Sequence, residues 1–342
     1  MMKKFSPSAG VILPVAGIVA ALIIILIILM PGGCTKHKPR QYHVGILSGA
    51  DTFSDIADGF IDKMSELGYE TDRNIFYDYH KEDFDMAVYR NIIKGFVDNK
   101  VDLIFVFPTE PALLAKAITK EQGIPVVFAM SGIEGNNLVD SVACPGGNIT
   151  GVRYPGPELT VRRFDILIEL VPGIQTVYLI YDQNYPNTGM ALEGLRPAAA
   201  SANVRLVEDS VSTMESFKSV LAERTAMKNT AVDAILVMPD IFNNSKEGFE
   251  SILELAAKHH LPIGGGLAFT ADLGALFSFV PDNREQGEQA AVLADKIFDG
   301  TPAGKIMIVT PRARLRINYK VIQKLGLSVN EGLLSRAYEI IR

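Results

Sequence analysis

From residue 42 onward, short apolar runs alternate with stretches in which apolar residues recur every three or four positions. The runs at 42–47, 74–79, 101–107 and 124–130 predict strands, the first of them buried. Between them, Ile56, Phe60, Met64 and Leu67 form one stripe of a helix predicted over 54–67, and further helices are predicted over 84–98 and 111–120. Strand followed by helix, repeated in this way, predicts a parallel sheet.

A strand at 148–153 runs into Tyr154-Pro155-Gly156-Pro157, the strongest break in the body, where we expect the chain to cross to a second lobe. The rhythm then restarts, with helices at 158–170, 190–202, 214–227 and 245–260, strands at 176–182, 205–210 and 232–238, and a short strand from Ile263. The halves echo each other, since Val101-Asp102-Leu103-Ile104-Phe105-Val106-Phe107-Pro108 aligns with Val232-Asp233-Ala234-Ile235-Leu236-Val237-Met238-Pro239. The expected fold class is therefore α/β, with two Rossmann-like lobes built on parallel sheets.

In an open parallel sheet, ligands bind outside the carboxyl ends of the strands, and two facing sheets would form a cleft there. The candidate ligand-binding residues are Ser48, Phe53, Thr109, Glu110 and Ser131 from the first lobe, and Asp182, Tyr185, Asp240, Phe242 and Gly265 from the second. Thr109 at a helix start suits an anion such as a carboxylate, although an ordinary helix cap explains it equally well. Asp182 and Asp240 suit a ligand ammonium or, alternatively, close Asx-turns, while Phe53, Tyr185 and Phe242 offer either stacking surfaces or local packing. The run Gly264-Gly265-Gly266 lacks the spacing of a phosphate cradle and suits close backbone approach.

Composition narrows the function classes. The chain has 342 residues, of which 48% are hydrophobic and 21% charged, enough to bury large cores in two domains. The net charge of −6 and the lack of a basic cluster beyond Arg312, Arg314 and Arg316 exclude nucleic acid as an expected partner. The two cysteines, Cys34 and Cys144, form no metal-ligand or disulfide pattern, so no metal site is expected. No nucleophile elbow, zinc-protease motif or Walker loop is present, His259-His260 reads as a solvated helix end, and we expect neither an enzyme nor a cofactor.

The N-terminus sets the compartment. Residues 11–30 are an apolar run long enough to span a bilayer, following Lys3 and Lys4 and ending in Pro31-Gly32-Gly33-Cys34. Two readings stand: residues 1–40 form an anchor retained as an N-terminal hydrophobic helix, or a signal peptide cleaved before Cys34, with lipid on that thiol as in a lipoprotein. Either tether leaves the body on the extracytoplasmic face of the membrane.

Several stretches resemble the ABC transporter substrate-binding family that includes tryptophan- and tyrosine-binding members. They are Pro145-Gly146-Gly147-Asn148-Ile149-Thr150-Gly151-Val152, Leu170-Val171-Pro172-Gly173-Ile174, residues 231–240 with Phe242-Asn243, and the tail from Leu325-Gly326-Leu327 to Ala337. The resemblance implies a type I periplasmic-binding-protein fold with three crossings. It places 41–153 plus 278–304 in the N-terminal lobe and 154–277 plus 305–342 in the C-terminal lobe, with a strand at 278–281 and a helix at 283–299 added to the first. It further implies the solute-binding component of an importer, closing by a hinge on a small polar ligand for which an amino acid, aromatic ones included, is the best match. A separate permease and ATPase subunits would be its partners, and a ligand sensor docking on a signalling receptor is the alternative. Ser131-Gly132 and Ser278-Phe279-Val280 depart from the family's usual Asp-Pro and Ser-Tyr-Gly.

Overall fold

The computed structural model describes residues 40–82 and 84–342. The apolar run 11–30 and Cys34 lie outside these residues; among the described residues no helix is long and apolar enough to cross a membrane.

Two sheets organise the chain. The first contains β1 (Tyr42–Ser48), β2 (Ile75–Lys81), β3 (Leu103–Phe107), β4 (Val126–Ser131) and β5 (Ile149–Arg153), in the order β2-β1-β3-β4-β5 and with every pair parallel. The second contains β6 (Thr176–Asp182), β7 (Arg205–Val211), β8 (Ala234–Leu236), β9 (Ile263–Gly264), β10 (Phe277–Pro281), β11 (Ala313–Asn318) and β12 (Glu339–Ile341), in the order β12-β11-β10-β9-β8-β6-β7. We refer to each sheet with its helices as a half.

Both faces of each sheet are covered, and the strand period of two sorts side chains between them. Along β3, Leu103, Phe105 and Phe107 enter one core and Ile104 and Val106 the other. Along β6, Val177, Leu179 and Tyr181 face one core while Tyr178 and Ile180 face the other. Phe60 stacks on Phe105 with ring centroids 4.3 Å apart, fixing the helix Ser54–Glu66 on the first sheet. Burial of each such ring contributes about 1.5–3 kcal/mol.

The chain passes between the sheets three times, and here the structure corrects the expected boundaries. The strand Phe277–Pro281 belongs to the second sheet, not the first: it runs parallel to β9 through Phe277 and Gly264, and antiparallel to β11. Phe277 and Leu276 are fully buried in the second half's core, which holds the strand there. Only the following helix Asn283–Phe298 packs on the first half, against Ser54–Glu66. Its closeness depends on two glycines, since a Cβ on Gly287 would stand 1.9 Å from the Ile56 carbonyl oxygen and one on Gly59 2.2 Å from that of Arg284.

The return is also later than residue 305. Thr150 donates to the Ile306 carbonyl at 2.8 Å, and the Arg153 N–H donates to the Val309 carbonyl at 2.9 Å, so residues 306–309 stay beside β5. The chain re-enters the second sheet at Ala313, opposite Pro281, where it had left. Leaving and returning at the same end forces β11 to run back against β10, so the second sheet is mixed, whereas a parallel one was expected.

Candidate functional site

A cavity of about 50 Å³ lies at the carboxyl ends of strands from both sheets. From the first half it is lined by Thr52 and Phe53 after β1, Phe84 after β2, Pro108, Thr109 and Glu110 after β3, Met130 at the end of β4, and Tyr154 after β5. From the second come Tyr185 after β6, Pro239, Asp240, Ile241 and Asn244 after β8, and Leu267 after β9. A larger groove of about 530 Å³, whose walls include Phe279, Arg314 and Tyr338, runs along β10 and β11 away from these strand ends. The smaller cavity is the better candidate, because it joins both halves and encloses ionisable groups.

Thr109 opens the helix Thr109–Thr119 and is almost fully buried. Its hydroxyl accepts the Gly132 N–H at 3.0 Å and pairs with the Tyr185 hydroxyl, so it connects the loop after β4 with the opposite half. The halves also touch beside the cavity, where a Cβ on Gly132 would meet the Asn187 amide at 2.1 Å.

Two acidic residues line the enclosed space. Glu110 follows Thr109 in the first helical turn, and its Oε2 is buried with no hydrogen-bond partner. Burial raises its affinity for a proton, opposed by its own backbone N–H. Asp240 caps the turn Ile241–Asn244, accepting the Asn243 N–H at 3.0 Å and the Asn243 side-chain amide at 2.8 Å. Burial nonetheless pushes its carboxyl up to about 7. Both acids act on the Tyr185 hydroxyl, which burial first and then Glu110 hold well above the usual tyrosine range. Among the described residues, no lysine, arginine or histidine lines the cavity.

Five of the ten candidates, Phe53, Thr109, Glu110, Tyr185 and Asp240, come together in this cavity. The other five do not line it. Ser48 is fully buried and donates to the Ala50 carbonyl at 2.9 Å, while Ser131 donates to that of Ala129 at 2.9 Å, so both hydroxyls are taken up by their own loops. Asp182 accepts the Asn184 N–H at 2.9 Å, the Asx-turn of the local reading. Phe242 packs against Phe217 with centroids 5.9 Å apart. Gly265 is tight against its own half, where a Cβ would meet the Thr270 hydroxyl at 2.3 Å and the Phe277 carbonyl oxygen at 2.4 Å.

The sequence reading passed over Tyr154, Phe84 and Leu267 as wall residues. Tyr154 stood within the Tyr154-Pro155-Gly156-Pro157 break, which signalled the crossing but not that its ring turns to the cavity. Phe84 had been assigned to the start of a helix that begins only at Met86. Among the described residues no group of His, Cys, Asp and Glu is arranged to hold a metal ion.

Comparisons with known proteins bear on the chain as a whole. The family model described as ABC transporter substrate binding protein matches residues 44–341. A tyrosine-binding protein of Clostridioides difficile (strain R20291) is 26% identical over 271 residues, covering 79% of this chain and 76% of that protein. The solved ABC domain from Streptococcus pneumonia in complex with L-Trp has a TM-score of 0.78 at 24% identity, over 88% of this chain and 100% of that one. A conserved domain protein from Vibrio cholerae has a TM-score of 0.78 at 23% identity, again over 88% and 100%.

Proposed function

Because this chain belongs to the ABC transporter substrate-binding protein family, we propose that it is the solute-binding component of an importer and takes an aromatic amino acid into the cavity between its halves. It is a substrate-binding protein and not an enzyme, and it works on the extracytoplasmic side, as the family does. The observation that carries the ligand reading is a cavity walled by Phe53, Phe84, Tyr154 and Tyr185 that also encloses Glu110 and Asp240. Rings supply apolar area for an aromatic side chain, and the polar groups orient its charged end.

About 50 Å³ admits only a few water molecules. An aromatic amino acid therefore enters when the halves part about the three crossings, and contacts from both halves then favour the closed form. That closed form is what a separate permease with its ATPase subunits would read. We assign the tether to residues 1–40, through lipid on Cys34 or a retained helix over 11–30, which would concentrate the body near the permease. Thermal-shift titration of the full-length protein with L-tyrosine and L-tryptophan tests the ligand assignment: a saturable rise in melting temperature supports it, and no rise with either removes it.

A further inference from the structure

We propose that the groove along β10 and β11 is a second ligand site, which takes a small molecule bearing two or more carboxylate or phosphate groups. It is separate from the cavity between the halves and does not depend on what that cavity binds.

The three alternate arginines noted in the sequence divide here. Arg316 is clamped by Asp272 at 2.9 Å and by Glu339 at 2.7 Å, whereas Arg312 and Arg314 line the groove. Arg162, on the helix Gly156–Leu170, and Arg336, just after the short helix Glu331–Leu334, join them. Four arginines from three parts of the chain thus converge on one hollow of about 530 Å³, a volume within the range of small-molecule sites. Among the described residues Glu285 is the one acid that lines it, and Arg314 engages that carboxylate at 2.8 Å. Arg312 is exposed and has no hydrogen-bond or ion-pair partner among the described residues. Arg336 pairs with Glu169 at 2.5 Å and Arg162 with Asp165 at 3.5 Å, but both pairs are solvent-exposed and neither acid lines the groove. Exposed pairs of this kind are weak and can be exchanged for an entering anion.

Like charges gathered in one hollow repel, and a compact anion of two or more charges relieves that repulsion at several of them together. The planar guanidinium fork matches the paired oxygens of a carboxylate or a phosphate, so a wall of arginines without lysine favours those groups. Ile166, Leu315 and Leu333, all buried, line the groove beside the arginines and lower the local dielectric, which strengthens the same contacts.

Calorimetric titration of the full-length protein with citrate, pyrophosphate and isophthalate at constant ionic strength tests the proposal, with acetate as a single-charge probe. At least one of the three should bind saturably at a single site, at least about tenfold more tightly than acetate. The double variant Arg312→Gln/Arg336→Gln, with circular dichroism matching wild type, should weaken that binding by about tenfold or more. Arg312→Gln alone breaks no ion pair of the folded chain, and should weaken it by about threefold or more even where the double variant does not fold. Lys94→Gln removes an exposed cation from the helix Met86–Asp98 and should leave it within about twofold. No saturable binding of any of the three, acetate binding as tight as theirs, unchanged affinity in Arg312→Gln, or an equal loss in Lys94→Gln would each overturn the proposal.

Discussion

Arg163 donates through Nη2 to the hydroxyl of Tyr154 at 2.8 Å, and through Nε to the carbonyl of Phe279 at 2.9 Å. Arg163 is fully buried on a helix of the second half, Tyr154 walls the cavity at the first crossing, and Phe279 lies in β10 just before the second. One side chain thus ties two crossings to the ligand wall. Replacing it with Met keeps the apolar stem but leaves both acceptors without their donor, and should lower stability by about 2–4 kcal/mol. The urea midpoint measures this, and ligand affinity should fall with it because the Tyr154 ring loses its support.

Gly287 and Gly95 give opposite signs for the same substitution. Both lie inside helices, where Gly→Ala ordinarily stabilises by up to about 1 kcal/mol. Nothing lies within 4 Å of a Cβ on Gly95, so Gly95→Ala should follow that rule. At Gly287 the added carbon would meet the Ile56 carbonyl oxygen, forcing the helices Asn283–Phe298 and Ser54–Glu66 apart and costing about 1–3 kcal/mol. Thermal unfolding of the two variants should move the melting temperature in opposite directions.

Much of this fold could be read from the chain because strands covered on both faces are nearly continuous apolar runs, as at 101–107, and their helices show clear stripes. The placement of β10 could not, because an apolar run such as Phe277–Pro281 suits either sheet and its choice is made by partners distant in sequence, Gly264 and residues 313–317. The site divides in the same way. Strand ends told which loops converge, but not where a side chain turns: Ser48 and Ser131 end their strands as Thr109 follows one, yet their hydroxyls bond carbonyls two residues away. Glu110 and Tyr185 reach the cavity because each sits beside the start of a helix aimed at it.

That distinction is testable by removing hydroxyls. Ser131→Ala and Ser48→Ala should leave ligand affinity within about threefold of wild type, since neither group lines the cavity. Phe53→Ala, which removes a ring from the wall, should weaken binding by about tenfold or more. Calorimetric titration of the three variants with the same amino acid separates them.

The buried carboxyls of the cavity contribute stability to the unliganded protein that is lost as pH rises from about 4 toward 7. The Asp240 carboxyl is raised from 3.8 to about 7 by burial, so across this interval the folded chain keeps a proton that the unfolded chain has released. Glu110, also raised by burial, contributes in the same direction. Stability is full below the unfolded value and is lost as pH climbs to the folded one. Asp240→Asn should flatten the slope of unfolding free energy against pH, which urea denaturation at several pH values will show.

The claim that the cavity between the two halves is a ligand site is tested most directly by titrating L-tyrosine and L-tryptophan calorimetrically into wild-type protein and into Tyr185→Ala. Tyr185 comes from the second half and meets Thr109 of the first, so it is central to a site shared by both. The account predicts saturable binding at a single site for at least one of the two amino acids, weakened by about tenfold or more in the variant. Saturable binding that Tyr185→Ala leaves unchanged, or no binding of either amino acid to the wild type, would contradict it.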